Sequence, residues 1–343
     1  MTTKTPSSSG NHSDSGNFGE RRCGRDGATR WYRYRSFGLG IRSQLELPEL
    51  DGTENQNHSS DDVEIVLDDL PDRLEGGVAV TPWLQATQNC CLLDGGDIAR
   101  YRIENGTRII VDRRSSTSRS EAARTRDVRV YLLGAAFAAL LHQRQWLPLH
   151  ISAVATSEGA VAFTGPSGAG KSTIAAWLHF RFRLSLITDD MAVIRPDDSQ
   201  PLLYPGPSRL KLWDDAIREL GLQRNGLVRD LVRTDKFHLP NPTGIATDKF
   251  PLVHLVVLRR NESGATIRLE EIHGIEAYRA VMNSVYRPGL NKLFYNKGQL
   301  HAHAGALARK IRVHTLDRPW SLNEKDQVLE KLLNHLGISG DFT

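Results

Sequence analysis

The chain has 343 residues, enough for two modest domains with a real core, and its 39% hydrophobic content suits a soluble protein carrying disordered parts. No apolar run reaches membrane-spanning length; the longest, residues 130–141, is broken by Gly134 and bounded by Arg129 and His142. The net charge of +4 does not point to nucleic acid, because residues 1–36 carry seven Lys/Arg and three Asp/Glu while the other 37 basic and 37 acidic residues cancel.

Residues 1–29 are Ser, Gly, Asn, Thr and Arg with almost nothing to bury, so a disordered tail is expected. The tail has no apolar h-region, and Asp14, Glu20 and Asp26 argue against a mitochondrial-type signal. Cys23, Cys90 and Cys91 make neither a disulfide framework nor a zinc set, so a reducing cytoplasm is the expected location. Between residues 31 and 47, Tyr32, Tyr34, Phe37, Leu39 and Ile41 alternate with polar or small residues, a strand pattern that Pro48 and Gly52 end. Residues 63–67 predict another strand. The eleven acids and one Arg of residues 46–75 read as a solvated acidic face. Residues 98–103 and 108–111 predict a hairpin around Asn105-Gly106. The polar stretch 113–120 then divides a small β-rich domain, residues 30–115, from a second domain, residues 120–340.

The second domain opens with a predicted helix over 122–145. A strand over 147–154 follows, and Glu158-Gly159 turns it back into an apolar strand over 160–164, so this pair is antiparallel. Next comes Gly165-Pro166-Ser167-Gly168-Ala169-Gly170-Lys171-Ser172-Thr173, which fits G-x-x-x-x-G-K-[ST] between a strand and a helix over 172–180. In that context the glycines let backbone N–H groups curl round phosphate oxygens, Lys171 bridges the β- and γ-phosphates, and the Ser172 hydroxyl binds Mg²⁺. A strand over 184–188 ends in Asp189-Asp190, where acids can hold Mg²⁺ or orient a nucleophile. His150 lies one strand from the phosphate site.

Residues 191–194 continue as strand, 196–199 turn, and 209–220 predict a helix stopped by Gly221. Residues 222–250 are loop-rich and basic, with Arg229, Arg233, Lys236 and His238 able either to close over phosphates or simply to face water. Strands over 252–258, 267–272 and 311–316 and helices over 275–286 and 289–307 complete the domain. Ser321 and Glu324 form a capping box for a last helix that turns Val328, Leu329, Leu332, Leu333 and Leu336 inward.

From about residue 32 to 336 the chain resembles the HPr-kinase-like proteins. Leu149-His-Ile-Ser-Ala-Val154, the glycine loop with Lys171-Ser172, and Thr188-Asp-Asp190 carry the resemblance in that order and at short spacing. Residues 134–144 and Arg209-Leu-Lys-Leu-Trp213 are similar to the branch that accompanies lasso peptide and other peptide-modification gene clusters. The resemblance implies an α/β fold: a P-loop-containing HPr-kinase-like core with a mixed β-sheet, preceded by the small β-rich domain. It implies an ATP- and Mg²⁺-dependent serine kinase acting on a peptide or small protein. Asp189 would be the general base, Asp190 would position Mg²⁺, with Ser172 as its other ligand, or else Lys171, and His150 would be a site residue. For a later catalytic cation, Lys236 and Arg233 are the candidates. Thr173 stands where HPr kinases carry Glu, and their Glu-containing segment has no match around residues 204–212, so phosphorylase activity is not expected. No nucleic acid or membrane partner is expected, and homo-oligomer formation stays open. The same residues would also serve a small-molecule kinase or a nucleotide-binding regulatory module.

Overall fold

The structure is a computed structural model that describes residues 30–52, 61–114, 120–207, 209–222, 227–229, 236–240, 249–261, 267–296, 298–319 and 325–338. The predicted tail, Arg233, and the capping box Ser321–Glu324 lie outside the described residues.

The first part of the chain is strand. Tyr32–Ser36 (β1), Leu39–Ser43 (β2), Asp51–Gly52 (β3), Val63–Leu67 (β4) and Val78–Thr81 (β5) are followed by Leu84–Ala86 (β6), Cys90–Asp94 (β7), Ala99–Glu104 (β8) and Arg108–Arg113 (β9). They form one sheet in the order β3-β1-β2-β4-β9-β8-β7-β6-β5. The β8–β9 turn takes positive φ at both Asn105 (52°) and Gly106 (65°), which is why Asn-Gly marks it in the sequence. The inward residues Leu39, Ile41, Tyr101 and Ile103 share a core with Leu132, Phe137, Leu140 and Leu141. Those four come from the π turn Leu132–Ala136 and from Phe137–Gln143 (α2), which with the preceding Glu121–Tyr131 (α1) form the helix expected over 122–145.

The second sheet holds Leu147–Leu149 (β10), Ser152–Thr156 (β11), Gly159–Thr164 (β12), Ser185–Asp189 (β13), Ala192–Ile194 (β14) and Leu202–Pro205 (β15). A separate three-stranded sheet is made by Arg209–Trp213 (β16), Val228–Arg229 (β17) and Lys236–Pro240 (β18). Phe250–Arg260 (β19), Arg268–Ile272 (β20) and Arg312–Arg318 (β21) complete the second sheet, whose main order is β10-β14-β15-β19-β12-β11-β13 with β21 joining β19. The sheet is mixed: β11 runs antiparallel to β12, as the tight turn requires, whereas β12 and β21 are both parallel to β19. Helices Lys171–Phe182 (α3), Asp214–Glu219 (α4), Gly274–Ser284 (α5), Asn291–Phe294 (α6), Gln299–Lys310 (α7) and Lys325–His335 (α8) complete the chain. Alternation along β12 sends Val161 and Phe163 to a core with α3 and α8, and Ala160 and Ala162 to a core with α5 and α7. The result is a mixed α/β sandwich. Among the described residues no helix is long and apolar enough to cross a membrane.

Three expectations are corrected. The predicted helix 209–220 is half strand: Leu210 and Leu212 are buried at a spacing of two, and β16 pairs with β18 before α4 begins. The predicted strand 147–154 breaks at His150 and Ile151, because β10 pairs with β14 while β11 turns to β12 and β13. The helix expected over 289–307 is interrupted: a 3-10 turn over Pro288–Leu290 and the short α6 precede α7, which starts after Gly298 at φ 86°.

Candidate active site

Parallel pairing of β12, β19 and β21 brings the ends of three strands to one edge of the sheet. The loop leaving β12 takes positive φ at Gly165 (141°), Gly168 (87°) and Gly170 (86°). Two of these glycines are also required by space. A Cβ on Gly165 would lie 2.8 Å from the Leu258 carbonyl oxygen, and one on Gly170 would collide with the Arg318 guanidinium. Gly170 caps α3 with no side-chain acceptor, so the first-turn amides stay available to an anion. Lys171 is buried and curls back on the loop, its Nζ donating to the carbonyls of Gly165 at 2.9 Å and Pro166 at 3.3 Å. Those carbonyls hold the ammonium next to the place where phosphates would lie.

The acid pair is built by the β11–β13 ladder, which sets Ser152 opposite Asp189. The Ser152 hydroxyl donates to Asp189 Oδ1, and the Lys211 backbone N–H donates to Oδ2 at 2.7 Å. Asp189 is 3% exposed, so both oxygens are satisfied inside the protein. Asp190 differs. Its backbone is left-handed at φ 97°, a conformation that costs a non-glycine residue about 1–2 kcal/mol. An N–H bond to the Ile151 carbonyl, 3.0 Å, holds it there. Its carboxylate stays partly open, accepts from Lys211 Nζ at 2.6 Å through Oδ2, and leaves Oδ1 3.7 Å from His150 Nε2.

His150 sits at the break between β10 and β11, its N–H donating to the Ser284 carbonyl at 2.6 Å and its ring edge-on to Tyr286 at 5.6 Å. Burial first, and Lys171 second, push its pKa down to about 4 against the pull of Asp190 and Asp189. The ring is therefore neutral near pH 7, and its approach to Asp190 is a polar contact rather than an ion pair.

A cavity of about 240 Å³ joins these groups: His150, Ser167, Gly168, Gly170, Lys171, Ser172, Thr173, Asp189 and Asp190 line it with Lys211, Trp213 and Tyr286. Gly165 and Pro166 line a neighbouring cleft instead, and Ala169 is buried beneath the loop, where its carbonyl accepts from Arg318 Nη2 at 3.1 Å. The backbone of Lys236 pairs with Trp213 across the β16–β18 ladder. Among the described residues no group of three or more His, Cys, Asp or Glu could hold a metal ion. Mg²⁺ needs no such group, since one or two protein oxygens and phosphate oxygens suffice. Ser172 and Asp190 offer oxygens of that kind in one cavity, with Asp190 Oδ2 already engaged by Lys211.

Sequence reasoning passed over Ser152, Lys211, Tyr286 and Arg318 as site residues. Ser152 follows His150 by two residues, and Lys211 lies between alternating leucines, so a strand reading of 209–213 would have found it. Arg318 carries no local signal; only the β19–β21 pairing brings it under the loop.

No family model matches the chain, and no curated protein matches it. Among solved structures the chain is similar to the Hpr(Ser) kinase/phosphatase from Coxiella burnetii, at 13% identity and a TM-score of 0.29, over 55% of this chain and 90% of that chain. A likeness that distant leaves function to the site's own residues.

Proposed function

We propose that the chain is a phosphotransferase that moves the γ-phosphoryl group of ATP to the hydroxyl of a serine in a peptide or small protein. One observation carries this reading: a glycine loop with Lys171 and Ser172 shares a small cavity with two adjacent carboxylates, a histidine and a second lysine.

In this reading the loop amides, the α3 N-terminus and Lys171 hold the phosphates. Mg²⁺ on Ser172 and Asp190 would neutralise phosphate charge. A carboxylate takes the hydroxyl proton as the serine oxygen attacks the γ-phosphorus; the bond to the β–γ bridging oxygen breaks and ADP leaves. Asp189 is the base implied by the family resemblance. Each of its oxygens already accepts one hydrogen bond, from Ser152 and from the Lys211 N–H, which lowers its basicity without filling its second lone pair, so the pair Asp189–Asp190 is the unit to test. Lys211 compensates Asp190 and so keeps two carboxylates compatible with a triphosphate. The acceptor we favour is a precursor peptide of the kind that the lasso-cluster resemblance implies.

The test is mass spectrometry of serine-containing peptides incubated with the full chain and Mg-ATP, with Lys171→Ala, Asp189→Asn and Asp190→Asn alongside. Phosphate on serine with the wild type, lost in Lys171→Ala and reduced by about 10²- to 10⁴-fold in the variant that lacks the base, is the expected result. Nucleotide binding with no transfer to any peptide would sink the reading.

A further inference from the structure

A second cleft of about 730 Å³ adjoins the phosphate cavity, and His150 and Ser167 line both. Its volume lies in the range of sites for organic ligands, whereas about 240 Å³ is small for more than a phosphate chain. One wall is a single face of α5, where Glu276, Arg279, Ala280 and Asn283 recur at helical spacing. Arg259 reaches it from the end of β19, and Arg287 from the segment after α5.

The lining thus carries three arginines and one carboxylate, Glu276. Among the described residues Arg259, Arg279 and Arg287 are exposed, and no ion pair to a carboxylate occupies any of them. Arg287 is fixed by its surroundings. Its backbone is left-handed, φ 48° and ψ 60°, while the preceding Tyr286 N–H donates to the Pro148 carbonyl at 2.8 Å and the Tyr286 carbonyl accepts from His142 Nε2 at 2.8 Å. Consecutive residues line the two spaces, Tyr286 the phosphate cavity and Arg287 the cleft, and the Arg287 guanidinium lies 5.8 Å from the centroid of the Tyr286 ring.

We infer that this cleft receives an acidic segment of the acceptor, with Asp or Glu side chains beside the reacting serine held by Arg259, Arg279 and Arg287 while the hydroxyl enters past His150. The inference rests on the phosphotransferase reading and names its substrate class. Phosphate oxygens already have the loop and Lys171, and an adenine or ribose has no use for three cations. An acidic acceptor does, because it must approach a triphosphate of the same sign, and bidentate guanidinium–carboxylate pairs offset that repulsion.

The test uses the full chain and two readouts. Oriented peptide pools contain one serine flanked by Asp/Glu, Lys/Arg or Ala and are labelled from γ-labelled Mg-ATP. A fluorescein-labelled Asp/Glu-rich peptide with Ala in place of serine is titrated by anisotropy, which needs no transfer. Wild type is expected to label the acidic pool about tenfold more than the basic pool, the effect of one charge-assisted hydrogen bond. The surface variant Arg259→Glu/Arg279→Glu should erase that preference and the anisotropy signal, while affinity for a fluorescent ATP analogue stays within about twofold, since neither residue lines the phosphate cavity. Equal or basic preference overturns the inference and leaves the kinase reading standing. Weakened nucleotide binding in the variant overturns it too, by giving the cleft to the nucleotide. Absence of label in every pool brings down the kinase reading, and peptide anisotropy that depends on the arginines still supports the cleft as an acidic-peptide site.

Discussion

The contact between Gly170 and Arg318 offers the sharpest test of how the loop is held. Replacing Gly170 by Ala does two things. It places a Cβ on a residue at φ 86°, which costs roughly 1–2 kcal/mol. It also drives that Cβ into the Arg318 guanidinium, which must swing away and release its 3.1 Å bond to the Ala169 carbonyl. Arg318 is 6% exposed and has little room to swing. A hydrogen bond from a charged group contributes roughly 1.5–3 kcal/mol, so the loop geometry loses roughly 2.5–5 kcal/mol in all. Because the free loop can relax and the nucleotide-bound loop cannot, much of this falls on binding. Affinity for a fluorescent ATP analogue should drop by at least about 10²-fold in Gly170→Ala, with a melting temperature lowered by only about a few degrees. Arg318→Met removes the bond but also the obstacle. The double variant should therefore bind better than the product of the two single losses, with a coupling of about 1–2 kcal/mol. Gly170→Ala within about threefold of wild type, or strict additivity, would refute the contact as the reason for this glycine.

Other substitutions probe the acid pair and the histidines. Lys211→Met uncovers the Asp190 carboxylate beside the phosphate loop, so nucleotide affinity should fall by about tenfold or more in an equilibrium titration; unchanged affinity would mean that the 2.6 Å pair does not compensate the site. Ser152→Ala leaves the buried Asp189 Oδ1 without its donor, and chemical denaturation should report a loss of about 1–3 kcal/mol. His142 is fully buried, its Nε2–H donates to the Tyr286 carbonyl, and burial pushes its pKa down to about 4. The unfolded chain takes up that proton first, so stability is complete above about pH 6.5 and falls by roughly 3 kcal/mol as pH drops to about 4. Denaturant midpoints measured across this window should flatten in His142→Leu, and an unchanged slope would acquit the residue. For His150, whose pKa is also lowered to about 4, an NMR titration should show the ring neutral through pH 5, and a midpoint near the ordinary His value would contradict its burial beside Lys171.

What the sequence disclosed follows from how local each signal is. The glycine loop, the hairpin at Asn105-Gly106 and the antiparallel β11–β12 pair are fixed by backbone conformations that neighbouring residues dictate, and these were legible. The π turn at Leu132–Ala136 was not, because its apolar residues are buried on every side and give no periodicity to measure. Residues 209–213 mislead for a related reason: Leu210 and Leu212 alternate, but Trp213 and the following Asp214-Asp215-Ala-Ile217 also suit a helix, and only pairing with β18 decides for strand. The loop's supports were hidden further still. Arg318 stands 149 residues from Ala169 and meets it only after β19 is in place between their strands.

The acid pair owes its shape to register more than to any single residue. Ser152 faces Asp189 across the β11–β13 ladder, and one step further the chain leaves extended pairing on both sides, at Ile151 and at Asp190. There the Asp190 N–H binds the Ile151 carbonyl, and positive φ separates its carboxylate from that of its neighbour. Two adjacent acids thus acquire different environments, one with both oxygens hydrogen-bonded and buried, the other open to Lys211 and His150. A slip of one residue in that ladder would turn Ser152 to the opposite face and strand Asp189 without its donor. The bulge between Ala153 and Val154 absorbs the mismatch between β11 and β13 just before the site, so the register that matters is the one at Ser152.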